Sequence, residues 1–513
     1  MRGARMREAA GWIAALSIAL VAAAQVAASA RGDLLFRDGD SLVVAMLSRS
    51  LLSGEPLDWA MSSVLFLPET AVLSAIRAVT GADLGTLLAV NAVIDVLGLY
   101  GALRLAAGRR RAHTAPVAFS LTGIGAFALM AATETSASRD ALELASLLLT
   151  TTYYSATVVA VIAAVGIARR ALDACAERRH GAAATAVVAL GLVAAASTLT
   201  NPLFGAWATV PLGAVMVASC LRRGIDRRRM LTLTAALVGG TASGLLGRIP
   251  FAAWIANTGA GYAQPAQWAA SLEYYTALLA ERVSTPLGVL GTAVVLLLVA
   301  FAVLRTLRAR SDGERIVAVS AWAVPLLVVV GAVTLGTHAA RYLQPAVFAP
   351  LLALVSSPGI PRFTASLVRP VPPTGARALV GTASVVLLVA GVLNVPRLAD
   401  AAHRPDPDLK CVTSWVDESG RTGAGQFWTV RLPKALLSDP AQLVQVDHRL
   451  NGYAWLVNRT DFDAGAVTFL VEDAQTVPWE LPVAATPEHV IPCGRYRILD
   501  FGAQRLPLGP AHS

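Results

Sequence analysis

"MSSVLFLPETAVLSAIRAVT", residues 61–80, is the stretch on which the layout of this chain turns. It is apolar and long enough to suggest a membrane helix, yet Pro68, Glu69 and Arg77 interrupt it. On either side the chain is built from apolar blocks of roughly 18–22 residues, the length that crosses a hydrocarbon core as a helix. Spans are expected near residues 12–30, 84–105, 115–133, 146–168, 181–199, 203–220, 231–249, 286–304, 316–335, 342–356 and 378–395, about eleven in all. If 61–80 is left out, one basic cluster precedes the first span and the others fall after every second span. They are Arg2, Arg5 and Arg7; Arg109 to Arg111; Arg169, Arg170, Arg178 and Arg179; Arg222, Arg223 and Arg227 to Arg229; Arg305, Arg308 and Arg310; and Arg362, Arg369 and Arg377. Counting 61–80 as a span would move every later cluster to the other side, against the positive-inside rule. The segment is therefore expected to lie in or on the outer interface, amphipathic or re-entrant.

Composition agrees. Of 513 residues, 55% are hydrophobic and 15% charged, where a soluble protein carries about a quarter charged. The net charge of +9 sits in short Arg clusters between apolar blocks rather than along one face or tail, so nucleic acid is not an expected partner. Lysine occurs only at Lys410 and Lys434, a usage that suggests a GC-rich bacterial genome. The first apolar stretch ends in "AASARG" like a signal peptide but is long for one, and a retained anchor is expected. The expected product is a polytopic α-helical protein of the bacterial cytoplasmic (inner) membrane, with its N-terminus in the cytoplasm.

After residue 396 the composition turns polar ("PRLADAAHRPDPDLKCVTSWVDESGRTG"), and short alternating runs such as "QLVQVDHRL" and "AVTFLVED" read as strands. The chain thus divides into a membrane module over 1–396, with a first outer loop at 31–83, and a small extracytoplasmic domain over 397–513, mostly β or α+β. Cys411 and Cys493 bracket that domain, and an oxidising compartment permits a disulfide between them. Closing a loop of about 80 residues contributes roughly 4 kcal/mol in the chain-entropy model. No cysteine spacing suits a zinc site.

The polar stretch "RGDLLFRDGDSLVVAMLSRSLLSGEPLDWA", residues 31–60, carries Asp38 and Asp40 on a tight turn around Gly39, and Ser41 can start the next helix. Two carboxylates this close can share a divalent cation, or one can act as a general base beside the other. They can equally cap a surface helix. The next expected outer loop, "ETSASRDALE", offers Glu134, Asp140 and Glu143, for which a solvated loop is the plain alternative. Residues 250–285 carry Trp254, Tyr262, Trp268, Tyr274 and Tyr275, with Arg248 just before; aromatic faces stack on sugar rings, but they also gather at bilayer interfaces. Asp95 lies inside the second span, one turn from Asn91.

This layout resembles the GT-C superfamily of membrane glycosyltransferases. Its members have many spans, an acidic motif in the first outer loop followed by juxtamembrane helices, and in some cases an outer C-terminal domain. Here "FRDGDS" (36–41) looks like the acidic motif, and 42–53 and 61–80 look like the juxtamembrane helices. "GTHAARYLQPAVFAP" (336–350) is similar to the Arg-Tyr and Pro pattern near lipid-phosphate sites in that family. The resemblance implies a polyprenyl-phosphate-linked sugar donor and a glycan or lipid acceptor. It makes Asp38 or Asp40 the base or a metal ligand, and places Arg341, His338 and Tyr342, with Arg248, at the lipid phosphate. Glu134 or Asp140 would supply the second acidic residue. A flippase for a lipid-linked intermediate and a non-catalytic protein with a binding outer domain are the alternatives; no internal repeat supports the first. Walker, G-x-S-x-G, H-E-x-x-H and dinucleotide motifs are absent.

Overall fold

The computed structural model describes residues 2–110, 114–221, 226–357 and 373–513, without side chains for Arg2 and 373–380. Arg111, Arg222, Arg223, Arg362 and Arg369 of the basic clusters lie outside the described residues, as does the side chain of Arg377. The helices are α1 (Arg2–Ala27), α2 (Gly32–Phe36), α3 (Val43–Ser53), α4 (Leu67–Thr80), α5 (Leu84–Ala106) and α6 (Pro116–Ala132). There follow α7 (Ser155–Ala176), α8 (His180–Thr200), α9 (Val210–Ser219), α10 (Arg227–Leu246), α11 (Trp268–Val283) and α12 (Pro286–Arg308). Last come α13 (Asp312–Thr334), α14 (Pro345–Phe348), α15 (Leu352–Ser356), α16 (Pro373–Ala402), α17 (Pro407–Ser419) and α18 (Phe427–Leu436).

Among the described residues, seven helices are long and apolar enough to cross a membrane: Gly3–Ala27, Leu84–Ala106, His180–Thr200, Arg227–Phe251, Pro286–Arg308, Asp312–Thr334 and Gly381–Ala402. Each is an apolar run that, at about 1.5 Å per residue, covers a hydrocarbon core about 30 Å thick. Their large apolar side chains stay exposed, among them Leu296, Leu297 and Leu307 on α12 and Val385, Val392 and Leu393 on α16. Water would not tolerate that surface, and lipid does. The architecture is that of a helical membrane protein with a small β-sheet region at its C-terminal end.

Contacts divide the chain into two units, Met1–Gly32, Ala89–Ile249 and Gly261–Ala401 in the first, and Asp33–Leu88, Pro250–Ala260 and Ala402–Ser513 in the second. In the first unit, α8 and α10 run so close that a Cβ on Gly240 would strike the Gly191 carbonyl, and one on Gly244 the Ala195 carbonyl. Small residues give such helices their packing where no hydrophobic drive separates them from lipid. Buried Arg169 donates to the carbonyls of Ala106, Val355 and Ser356 at 2.7–3.0 Å, which satisfies the ends of α5 and α15.

Several first-unit segments differ from the sequence reading. Residues 146–168 do not form one helix: a 3₁₀ turn covers Ser146–Leu149, Tyr154 has φ 69°, and α7 begins at Ser155. Ahead of α9 a π turn occupies Gly205–Thr209, because Pro211 has no N–H to offer the preceding turn. Pro345 and Pro350 break 340–356 into 3₁₀ and α pieces. Within 250–285, a stretch between the expected spans, sixteen residues form α11.

The second unit gathers the first polar loop and the C-terminal region. Its strands are β1 (Trp59–Ala60), β2 (Gly423–Gln426), β3 (Leu443–Val446), β4 (Asn451–Tyr453), β5 (Val457–Asn458), β6 (Ala466–Val467), β7 (Phe469–Glu472), β8 (His489–Cys493), β9 (Tyr496–Asp500), β10 (Leu506–Pro507) and β11 (Gly509–His512). Seven form one sheet in the order β11-β4-β3-β2-β7-β9-β8. β2 lies parallel to both β3 and β7, with α18 as the crossover from β2 to β3. A parallel centre needs cover on both faces, and Ala424, Val444, Val446, Leu470 and Phe501 are fully buried there. α17 starts on Asp406, whose carboxylate accepts from Leu409 N–H, and ends on left-handed Gly420. Cys411 and Cys493 form a disulfide with Cα atoms 5.5 Å apart.

Residues 33–88 are built into this unit. β1 pairs antiparallel with β5, Trp59 opposite Asn458, and Ala256 N–H donates to Met61 O at 2.9 Å. α3 and α4 are amphipathic and join through Ser74 and Ser48 at 2.9 Å. The segment 61–80 yields only the 14-residue α4, too short for a core about 30 Å thick.

Candidate functional site

The acidic turn lies in the second unit. α2 ends at Phe36, and the N–H groups of Arg37 and Asp38 both reach Asp33 O, at 2.8 and 2.9 Å. Asp38 Oδ1 then accepts from Asp40 N–H at 3.1 Å, an Asx turn that presents both carboxylates on one bend. Ser41 does not cap α3. It is fully buried, a buried hydroxyl must find a partner, and it donates to Leu34 O at 2.6 Å. Leu42 occupies the N-cap position without a side-chain bond.

Beneath the turn lies α18. A Cβ on Gly39 would sit 3.2 Å from Arg431 Cγ and 3.3 Å from Trp428 Cε3, so glycine is what lets the turn rest on the helix. Arg431 is fully buried. Its Nη1 donates to Leu456 O at 2.6 Å and its Nε to Gly39 O at 3.5 Å, its guanidinium stands 5.3 Å from the Phe427 ring centre, and its Nη2 has no hydrogen-bond partner among the described residues. Burial pulls this guanidinium down to about 10, and the charges of Asp40, Asp461 and Asp38 oppose that pull. It remains a cation at neutral pH, with three carboxylates as counter-charge. Asp461 is held by Lys434 at 2.8 Å. Tyr453 is pushed up by burial and by the charge of Asp40, its ring stands 6.3 Å from that of Phe427, and Trp428 is 41% exposed.

Half-exposed Asp38 and Asp40, a cation below them and aromatic faces beside them can accept a proton or hold hydroxyl groups. Among the described residues no group of three or more His, Cys, Asp or Glu side chains could hold a metal ion. A divalent cation at this turn would have Asp38 and Asp40 as its protein ligands and complete its oxygen shell from substrate or water.

The remaining candidates belong to the first unit. Glu134 is buried and spent on its own loop, accepting from Ala145 and Ser146 N–H, both at 2.7 Å. Glu143 pairs with Arg282 at 2.6 Å and with Arg31 at 3.9 Å, while Arg31 also donates to Ser136 O, Ser138 O and Ser146 Oγ. Asp140 is exposed. His338 is exposed, its ring 5.6 Å from Tyr274, and both Asp140 and Arg341 act electrostatically on that tyrosine. Arg341 stands 5.9 Å from the Tyr342 ring centre, and Tyr154, Tyr262 and Tyr275 act electrostatically on Tyr342. Asp140, His338, Arg341 and Tyr342 thus gather about one aromatic cluster. Arg248 caps a helix end instead, donating to Leu199 O at 2.7 Å. Asn91 donates to Asp95 at 2.7 Å.

Sequence reasoning missed Arg431, Lys434, Trp428, Tyr453 and Asp461. A usable signal stood in "FWTVRLPKALL" (427–437), where two cations three residues apart interrupt an otherwise apolar helix; cations in such a face need buried partners. Comparison with known protein families and with characterised proteins finds no match for this chain.

Proposed function

We propose that the chain is a membrane glycosyltransferase that moves a sugar from a polyprenyl-phosphate carrier to a cell-envelope acceptor on the outer face of a bacterial cytoplasmic membrane. In this reading about eleven segments cross the bilayer, the Arg clusters face the cytoplasm and the second unit faces outward. Asp38 or Asp40 takes the proton of the acceptor hydroxyl. The oxygen attacks the anomeric carbon, the bond from that carbon to the phosphate oxygen breaks, and polyprenyl phosphate leaves. Arg341 is the residue that the GT-C resemblance assigns to the departing phosphate.

The supporting observation is the acidic turn itself. Its carboxylates are half exposed over the buried cation of Arg431, with Trp428 and Tyr453 alongside to stack on sugar rings. Asp38→Asn and Asp40→Asn, each reconstituted in proteoliposomes with radiolabelled polyprenyl-phosphate sugars, are expected to lose at least about 100-fold in transfer, the scale of general-base catalysis. Unimpaired transfer by both variants would refute the assignment.

A further inference from the structure

The second unit holds a separate cavity of about 240 Å³ beside α3, α4 and α18, far above the roughly 15 Å³ a lone water requires. Neither Asp38 nor Asp40 lines it. Three cations do: Arg49, Arg77 and Lys434. Lys434, almost fully buried, is committed to Asp461 and to the carbonyls of Pro440 and Leu443. Arg49 gives its terminal nitrogens to the carbonyls of Leu437 and Ser438, at 2.8 and 2.5 Å, so its charge meets no carboxylate there. Arg77 has no hydrogen-bond or ion-pair partner among the described residues and faces Arg49, whose like charge acts on it.

Two guanidinium groups brought together at a cavity repel each other. Folding tolerates that arrangement where an anion completes it. The acids of the lining do not fill the role: Asp461 answers Lys434, Asp83 is engaged with Thr86 and His403, and Glu55 is exposed. Ser50 and Asn458 add neutral polar groups to the wall. We infer that this cavity binds a phosphate group, held by Arg77 and Arg49, apart from the acidic turn. The charge series continues inward, since Asp461 touches Lys434 in the wall and acts on Arg431 below the turn. The site stands whether or not the chain transfers a sugar, and its test needs no turnover.

The full chain in phosphatidylcholine nanodiscs is titrated with inorganic phosphate, and in parallel placed in nanodiscs containing phosphatidylglycerol. Phenylglyoxal labelling of Arg77, followed by mass spectrometry, reports occupancy in both arms. Protection by inorganic phosphate identifies a free phosphate ligand, and protection only in phosphatidylglycerol identifies a lipid headgroup. Isothermal titration calorimetry of the same nanodiscs with inorganic phosphate reads the variants: Arg77→Gln should weaken phosphate binding by about tenfold or more, as loss of a charge-assisted pair does. Glu55→Gln, which removes the remaining unengaged negative charge at the wall, should tighten it, and Arg449→Gln, on an exposed surface pair with Glu480, should leave it unchanged. Labelling of Arg77 that neither ligand slows, or an Arg77→Gln variant that binds phosphate like the parent chain, overturns the inference.

Discussion

Two acidic loops that look alike in sequence, "ETSASRDALE" (134–143) and "FRDGDS" (36–41), end in opposite states. In the first, Glu134 and Glu143 are buried, Glu134 accepting from the loop's own N–H groups and Glu143 pairing with the cations Arg31 and Arg282. In the second, Asp38 and Asp40 stay half exposed above an arginine that keeps one nitrogen without a partner. A saturated carboxylate is a structural clasp, because any ligand would have to displace bonds already made. A carboxylate that is half exposed on a turn beside a buried cation can be reached by a ligand without unfolding the loop that carries it.

The largest test of this contrast removes the clasp. Glu143→Ala leaves Arg31 and Arg282 buried without their shared carboxylate, and about 3–5 kcal/mol of stability is expected to go, read as thermal unfolding in detergent. A loss under about 1 kcal/mol, the scale of an exposed pair, would erase the distinction. The same measurement on Asp40→Asn should show a change of less than about 1 kcal/mol, since that side chain is half solvated; a loss as large as that of Glu143→Ala would make the turn a clasp too. The smallest effect belongs to Asp83, which is hydrogen-bonded but exposed. Burial raises its pKa, yet hydrogen bonds from Thr86 N–H and hydroxyl and from His403, with the charge of His403, bring it down to about 2. A carboxyl depressed on folding contributes stability above its unfolded value near 4 and loses it as pH falls through its folded value. Asp83→Asn should therefore flatten the acid limb of the stability curve between about 4 and about 2, and an unchanged limb would remove Asp83 from that balance.

The long apolar helices α1, α5, α8, α10, α12, α13 and α16 were legible because twenty apolar residues in a row leave one solvent that fits. The strands at 443–446 and 469–472 were legible from alternation. α17 also had legible signals, an Asp406-Pro407 start and a Gly420 stop. The parallel centre was not legible, because which strands pair is decided by contacts far apart in sequence. For the same reason "FRDGDS" could be found as a motif but not its setting: Arg431 meets Gly39 across roughly 390 residues, and spacing rules reach only a few turns. Glu134 read as a site for the converse reason, since sequence shows a charge and hides how many N–H groups surround it.

The pairing of β1 with β5 also sets a clock for biogenesis. Trp59 is made roughly 400 residues before its partner Asn458, and at about 5–20 residues per second the ribosome needs on the order of 20–80 s to bridge that gap. For that time α3 and α4 have apolar faces and lack the C-terminal segment, whose Leu437 and Ser438 carbonyls Arg49 of α3 bonds. The nascent chain must shelter them on the bilayer surface or on a chaperone, so a stalled or truncated chain would be left with sticky helices rather than a folded half.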